Sequence, residues 1–206
     1  MPTMLRMPSL LFLVLIGAYQ IVLGNALDGG AAAGIGALLA GNYDNSAQVA
    51  QAGSPHVTVM IESTQRPDWE LWRVHMDVDP AVALAARSAT ALDVVWAMNI
   101  ARGNDKSLQL IPYTLRPSIQ ESSLSASAFD EKQWLSLEAC ALLGDFGKSH
   151  IVAQVAGDEM CVAAAMGLGG KRAFLPSSIE READWLHVQI TYLGNPLLVN
   201  ALRVIG

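Results

Sequence analysis

The chain has 206 residues, 52% of them hydrophobic, and a formal net charge of −6 from 13 basic and 19 acidic side chains. No basic stripe is available to neutralise phosphates or anionic lipid headgroups, which argues against nucleic acid and acidic membrane surfaces as partners. The length and the apolar content suit one domain with a sizeable core.

The N-terminal residues predict export. Arg6 precedes an uncharged apolar run from Ser9 to Leu23, and small residues follow at 24–26. This order is typical of a cleavable signal peptide, and a run of about 15 residues is shorter than the roughly 20 that a spanning helix needs. We therefore expect cleavage after Ala26, a single domain at 27–206 without a membrane span, and a periplasmic or secreted location.

The chain contains two cysteines, Cys140 and Cys161. An exported chain meets an oxidising compartment, and an even cysteine count then favours a disulfide. The bridge would close a loop of about 20 residues and stabilise the fold by on the order of 3 kcal/mol. Two buried, unpaired thiols are the alternative.

In chain order, the sequence predicts a short helix at 31–40, a turn at 42–45 and a second helical piece at 46–52. Alternating apolar residues predict a strand from 57 to 62, and a turn follows at 65–68. The clearest strand comes next, because Trp72, Val74, Met76 and Val78 alternate with polar residues at a period of two. Asp79 and Pro80 then predict a helix that runs to about residue 92, with Asp as its cap and Pro in its first position.

Further strands follow at short spacing, separated by a Ser-rich segment at 116–127 and a helical turn at 130–134. Gly157-Asp158 predicts a tight hairpin turn. The predicted strands are 94–101, 107–115, 137–143, 150–156, 160–166, 172–179, 185–192 and 197–205, with turns at 103–105, 144–147 and 194–196. About nine strands joined by short turns predict an antiparallel sheet that must close to hide its edges. We therefore expect an antiparallel β-barrel, which can enclose one small ligand.

Motifs for catalysis are missing. The glycine-rich segment before Arg172 fails as a phosphate loop, because Ala165 and Arg172 stand where that motif requires Gly and Ser or Thr. No serine lies in a nucleophile elbow. His75 and Asp77 share a strand face, but one histidine with carboxylates does not make a specific metal site, and we predict none.

Aromatic and basic side chains lie close together on the predicted strands and their ends. Trp and Tyr with a few Arg would suit a flat ligand that bears a carboxylate, because Arg binds a carboxylate through paired hydrogen bonds. The predicted ligand-binding residues are Arg73, Trp96, Arg102, Tyr113 and Arg172. The alternative is that the aromatic residues form the core and the arginines lie outside.

Several segments, in this order, resemble the T-type phycobiliprotein chromophore lyases, the CpcT/CpeT family. They are LAGNYDNSAQ at 39–48, the strand at 107–117 with Tyr113, the two cysteines, and the stretch from Met160-Cys161 to GKRAFL at 170–175. The resemblance covers about residues 38–206. It implies a calycin-like antiparallel barrel, often a homodimer, that holds an open-chain tetrapyrrole (bilin) and attaches it to a cysteine of a phycobiliprotein.

The chain departs from that family in two places. Residues 94–102 read VVWAMNIAR, with Arg102 as the one basic residue where the family carries a cluster, and residues 191–196 lack its Asp-Arg-Gly run and Trp-Gly pair. We therefore expect an exported barrel that binds a small hydrophobic or tetrapyrrole-like molecule without the full catalytic set.

Two alternatives remain. One is a bilin lyase in which Arg102 holds a propionate and Tyr113 packs against the ring system. The other is an exported structural or interaction protein whose barrel is fully packed. An empty lumen would favour the binding protein or the lyase, and a filled lumen the interaction protein.

Overall fold

The computed structural model describes residues 35–52, 54–77, 91–102, 106–168, 174–192 and 195–204. The predicted signal peptide, the predicted helix up to residue 90, the turn at 103–105 and Arg172 lie outside the described residues. The described part is mainly β. Its strands are β1 (Gly41–Asp44), β2 (Val57–Ser63), β3 (Trp69–Asp77), β4 (Ala91–Arg102), β5 (Ser107–Leu115), β6 (Trp134–Ser136), β7 (Leu142–Phe146), β8 (His150–Val155), β9 (Leu175–Glu182), β10 (Trp185–Tyr192) and β11 (Asn195–Val204).

The sheet closes on itself. Its order is β4-β3-β2-β1-β11-β10-β9-β8-β7-β5, and β5 pairs back with β4, while β6 pairs with β5 outside the ring. The result is a closed ten-stranded antiparallel barrel, which confirms the predicted fold class. Closure leaves none of the ten strands with an unpaired edge.

Short helices lie at the ends of the barrel. Residues 35–39 form α1 at the end where β1 starts, and Ile35 and Leu39 of α1 are buried in the core. Helix α2 (Ser46–Ala52) has the predicted bounds, and α3 (Asp158–Leu168) follows β8. At the other end, the Gln48 side chain of α2 donates a hydrogen bond of 2.9 Å to the Leu198 carbonyl of β11.

Apolar side chains form two clusters, one on each side of the sheet. The inner cluster fills the barrel, and its largest members include Trp72, Trp96, Leu39 and Tyr43. The outer cluster lies on β3, β4 and β5 beneath residues 116–133, which we call the covering segment. The buried members of the outer cluster are Trp69, Leu71, Ala97, Leu115, Ala126 and Trp134. The Ser-rich stretch therefore covers apolar surface on the outside of the barrel.

Alternation predicted most strands well. β5 and β10 have the predicted bounds, and Trp72, Val74 and Met76 of β3 face the core as expected. Cys140 and Cys161 form the expected disulfide, which joins α3 to the turn before β7. Asp130 caps the short helical turn Glu131–Gln133 inside the predicted 130–134.

Several local predictions were wrong. Residues 42–44 belong to strand β1, which is paired on both sides by β2 and β11 and buries Tyr43. The strand predicted at 137–143 begins only at Leu142 and continues to Phe146, because Glu138–Cys140 form a helical turn. The predicted helix cannot extend to residue 92, because Ala91 and Leu92 already pair with β3.

The predicted hairpin at Gly157-Asp158 is absent, and α3 stands in place of the strand at 160–166. Three consecutive alanines, which are strong helix formers, lie within α3 at residues 163–165. At the following strands, β9 starts at Leu175 and ends at Glu182, and β11 already includes Asn195 and Pro196. The pairing of β9 with β8 and β10 sets the bounds of β9, and the pairing of β10 with β11 sets the start of β11.

Candidate functional site

A groove runs across the outside of the barrel over β11, β1, β2, β3 and β4. Its volume is about 630 Å³, and Glu121 and Ser122 of the covering segment form one wall. This volume falls within the range of roughly 300–1,000 Å³ that is usual for small-molecule sites. We call it the outer groove.

Strand register builds the outer groove as two rows of outward-facing side chains. In the first row Asn42, Met60, Arg73 and Val95 are paired from strand to strand, and in the second row Asp44, Thr58, His75 and Asp93 are paired. Outward positions alternate with the core positions of the same strands, so the rows follow from the period of two. The first row combines the apolar Met60 and Val95 with Asn42 and the cation Arg73, whereas the second row is polar throughout and contains two carboxylates, Asp44 and Asp93.

Arg73 is the predicted ligand-binding residue that lies in the outer groove. Its Nε donates to Glu62 at 3.0 Å, and its second guanidinium nitrogen donates to the Leu124 carbonyl at 2.9 Å. These contacts fix the guanidinium between the sheet and the covering segment. Arg73 is thus positioned at the rim, with a carboxylate already beside it.

Two histidines and three aspartates form a continuous chain along one end of the outer groove. His56 contacts Asp44 at 2.8 Å and Asp77 at 3.1 Å. His75 contacts Asp77 at 3.3 Å and Asp93 at 2.7 Å. We call these five residues the His–Asp chain, in which each histidine lies between two carboxylates.

The His–Asp chain shifts the pKa of its members in the direction that favours the charged forms. Hydrogen bonds to Asp44 and Asp77 raise the pKa of His56, and the hydrogen bond to Asp93 raises the pKa of His75. Hydrogen bonds from His56 and then His75 lower the pKa of Asp77. Partial burial alone would raise the pKa of Asp44, but hydrogen bonds from Ser46 and His56 lower it.

The barrel interior offers little space beside Trp96, which faces it and is the one member of the predicted ligand-binding set in the described part of the chain to do so. The Trp96 indole is 1% exposed and donates to the Phe174 carbonyl at 2.6 Å. The cavity next to it, between Met76, Ile190 and Leu197, measures about 10 Å³, which is the room of one water molecule. Trp96 is therefore a packed core residue in this structure.

The remaining predicted ligand-binding residues do not meet at one site. Tyr113 lies in the outer cluster, where its ring packs edge-on to Trp69 at 4.6 Å. Arg102 is exposed at the end of β4, with its guanidinium 5.7 Å from the centre of the Phe146 ring. Arg172 lies outside the described residues. The described members of the predicted set are thus divided among the groove, the core, the outer cluster and a barrel end.

The structure identifies one buried acid that sequence reasoning missed, Glu70. Its side chain faces the interior of the barrel, and Trp72 Nε1 donates to its Oε2 at 2.9 Å. Burial raises the pKa of Glu70 to about 8, and the hydrogen bond from Trp72 opposes that effect only in part. The signal was present in the sequence, because Glu70 shares the parity of Trp72, Val74 and Met76 on β3.

Within the described residues, no three His, Cys, Asp or Glu side chains are arranged to hold a metal ion. None of the described helices combines the length and the apolar character needed to cross a membrane. No family model matches the chain, and no curated protein matches it either. The resemblance to the chromophore lyases therefore stays a prediction from the sequence.

Proposed function

We propose that this protein is an exported, non-enzymatic binding protein that holds a small hydrophobic ligand in the outer groove. The observation that carries the proposal is a groove of about 630 Å³ on the outside of a barrel whose interior is occupied by its own side chains. Met60 and Val204 give the groove an apolar floor, and both are substantially exposed, at 37% and 53%. Arg73 and the His–Asp chain supply polar contacts at its edges.

A tetrapyrrole is the ligand form that the family resemblance implies. A bilin propionate would share the Arg73 guanidinium with Glu62 and the Leu124 carbonyl, which already accept hydrogen bonds from it. The three carboxylates of the His–Asp chain oppose a strongly anionic ligand, which favours a ligand with few negative charges. The same resemblance also implies the alternative of a bilin lyase. A lyase would need an acid to protonate the bilin, and the described residues that line the groove include no buried acid.

The test is a titration of the oxidised protein with biliverdin, phycocyanobilin, haem and the uncharged apolar dye N-phenyl-1-naphthylamine, followed by absorption or fluorescence. We expect saturable binding of at least one probe. Met60→Glu should weaken it roughly tenfold, because it introduces a charge on the apolar floor. Val152→Glu is the matched control, since Val152 is an exposed apolar residue on the outside of β8, 47% accessible and away from the groove.

Either of two results would contradict the groove proposal: no saturable probe, or equal weakening by the two glutamate variants. If the dye binds saturably but none of the three tetrapyrroles changes its spectrum, the groove remains the proposed binding site and a tetrapyrrole is excluded as its ligand.

Export is tested separately, by sequencing the N-terminus of the protein recovered outside the cytoplasm. We expect Leu27 as the first residue, and the Cys140–Cys161 disulfide supports an oxidising compartment.

A filled barrel also favours a second candidate, an interaction protein. Trp185 and Leu202 face each other across β10 and β11 on the outer surface and are 40% and 42% exposed. A second copy of the chain is the partner that the resemblance implies. Sedimentation velocity should then give a dimer that Leu202→Glu dissociates and Val152→Glu does not, and a monomeric wild-type protein would exclude this candidate.

A further inference from the structure

One end of the barrel is filled by α1 rather than by strand side chains. Ile35 and Leu39 are 1% and 0% exposed and pack in the same cluster as the inward-facing residues of the sheet. A helix that enters a barrel in this way occupies space that small barrels otherwise fill with strand side chains or with one small ligand. Helix α1 therefore fills a volume of the kind that a small ligand occupies in other barrels.

The polar anchors of α1 lie at its C-terminal end. The Tyr43 hydroxyl donates to the Leu39 carbonyl at 2.7 Å, and Arg203 donates to the Ala40 carbonyl at 2.6 Å. The backbone hydrogen bond from Ala40 to Gly36 is internal to the segment. Within the described residues, α1 is thus anchored through polar contacts at one end and held by apolar contacts along its length.

Beneath α1 lies a buried carboxyl group with an unused oxygen. Glu70 is 1% exposed, and its Oε1 has no hydrogen-bond partner among the described residues. The nearest part of α1 is the backbone of Gly36, where an added Cβ would lie 3.4 Å from Glu70 Oε1. Burial raises the pKa of this carboxyl to about 8, which favours its protonated form at neutral pH. Because Oε2 accepts the hydrogen bond from Trp72, the proton belongs on Oε1, which is then a hydroxyl donor directed at α1.

An unsatisfied buried donor is destabilising, and an occupant that accepts its hydrogen bond would relieve that penalty. The Gly36 side of α1 offers no acceptor to Glu70. An apolar molecule with one accepting oxygen would complement both the apolar wall and the hydroxyl. Trp72 is the sole polar contact that affects the Glu70 carboxyl, and no charged group in the described part of the chain acts on it.

We propose that this end of the barrel is an internal ligand site which α1 occupies in the structure, and that the site takes a slender apolar molecule bearing a carbonyl or hydroxyl oxygen. Glu70 donates its hydrogen bond to that oxygen when α1 is displaced from this end of the barrel. The site is separate from the outer groove and does not depend on it.

Hydrogen exchange with mass spectrometry tests the proposal on the full chain, with octan-2-one as the probe. Without the probe, the amides of residues 37–40 should exchange by local opening, faster than those of the barrel strands. Saturating octan-2-one should speed exchange at 37–40 several-fold, as in any displacement of a local segment, while the strands keep their protection. Met60→Glu in the outer groove should leave this response unchanged, which separates the two sites.

Two variants at position 70 test whether Glu70 binds the ligand. Glu70→Gln keeps a hydrogen-bond donor in place of the protonated carboxyl and should retain the response to octan-2-one. Glu70→Leu removes the donor and should weaken the binding of octan-2-one by roughly three- to tenfold. Exchange at 37–40 that the probe leaves unchanged, or that rises together with exchange in all strands, would overturn the proposal and make α1 a permanent part of the core. An equal response in Glu70→Gln and Glu70→Leu would overturn the role of Glu70.

Discussion

Ionisation of Glu70 couples the stability of the barrel to pH. Its pKa is raised to about 8 in the folded protein from a reference value of 4.5. Between these two values the folded state holds a proton that the unfolded state has lost, so the stability falls as the pH rises. Glu70 is therefore most favourable below its unfolded pKa, and the loss is complete only above its folded pKa.

Replacing Glu70 by Gln tests this effect. Wild-type protein should lose up to about 1.4 kcal/mol of unfolding free energy per pH unit within that window because of Glu70. Glu70→Gln should lack that loss, because a neutral amide has no proton to release. Urea denaturation of both proteins from pH 5 to pH 8 measures the difference, and parallel stability curves would contradict the account.

The histidines and the aspartates of the His–Asp chain make the stability depend on pH in opposite directions. The raised pKa of His56 and His75 gives stability below their unfolded pKa that is lost as the pH rises through the folded pKa. The lowered pKa of Asp44 and Asp77 gives stability that is lost as the pH falls through their folded pKa. The chain therefore stabilises most between the two ranges.

The variant Asp44→Asn should lower the pKa of His56 and leave that of His75 unchanged, because Asp44 contacts only His56 within the chain. Proton NMR of the imidazole signals as a function of pH measures both. The energy at stake is small, roughly 0.5 kcal/mol for a partly exposed pair, and falls with added salt. An unchanged pKa of His56 would show that the contact is absent in solution.

At the scale of elements, periodicity predicted strands where one face packs against the core. β10 shows this well, since Leu186, Val188 and Ile190 are all buried. β1 was missed because its four residues, Gly41–Asp44, are too few to show a period, and its pairing with the distant β11 decides its structure. α3 was missed because a Gly-Asp pair is compatible with both a hairpin turn and a helix start.

The disulfide connects α3 to the barrel, and its loss is a prediction at this scale. Helix α3 packs on the turn Glu138–Cys140, and Cys140 is fully buried. Replacing both cysteines by Ala should lower the unfolding free energy by about 3 kcal/mol, as expected for a closed loop of this size. Hydrogen exchange should rise first in α3. Unchanged stability of the double variant in urea would contradict a structural role for the bridge.

For the whole molecule, the predicted closure of the sheet is confirmed, but the location of the candidate site was not predictable from the sequence. Alternation places Arg73 and Trp96 on opposite faces only once the register between β3 and β4 is known. The groove also needs the covering segment, whose turns have no periodic signal. The position of α1 in one end of the lumen could not be predicted from the sequence either, because a short apolar helix can pack against many parts of a barrel.

The proposed function places its ligand in the outer groove rather than in the lumen, and methionine methyl NMR with a tetrapyrrole or dye probe tests this location most directly. Met60 lies on the floor of the outer groove, whereas Met76 and Met98 are buried inside the barrel, at 5% and 0% exposure. On titration with the probe that binds best, we expect the Met60 methyl signal to shift and the Met76 and Met98 signals to stay in place. Shifts of Met76 or Met98 with an unchanged Met60 would place that groove probe in the lumen and contradict the proposed function.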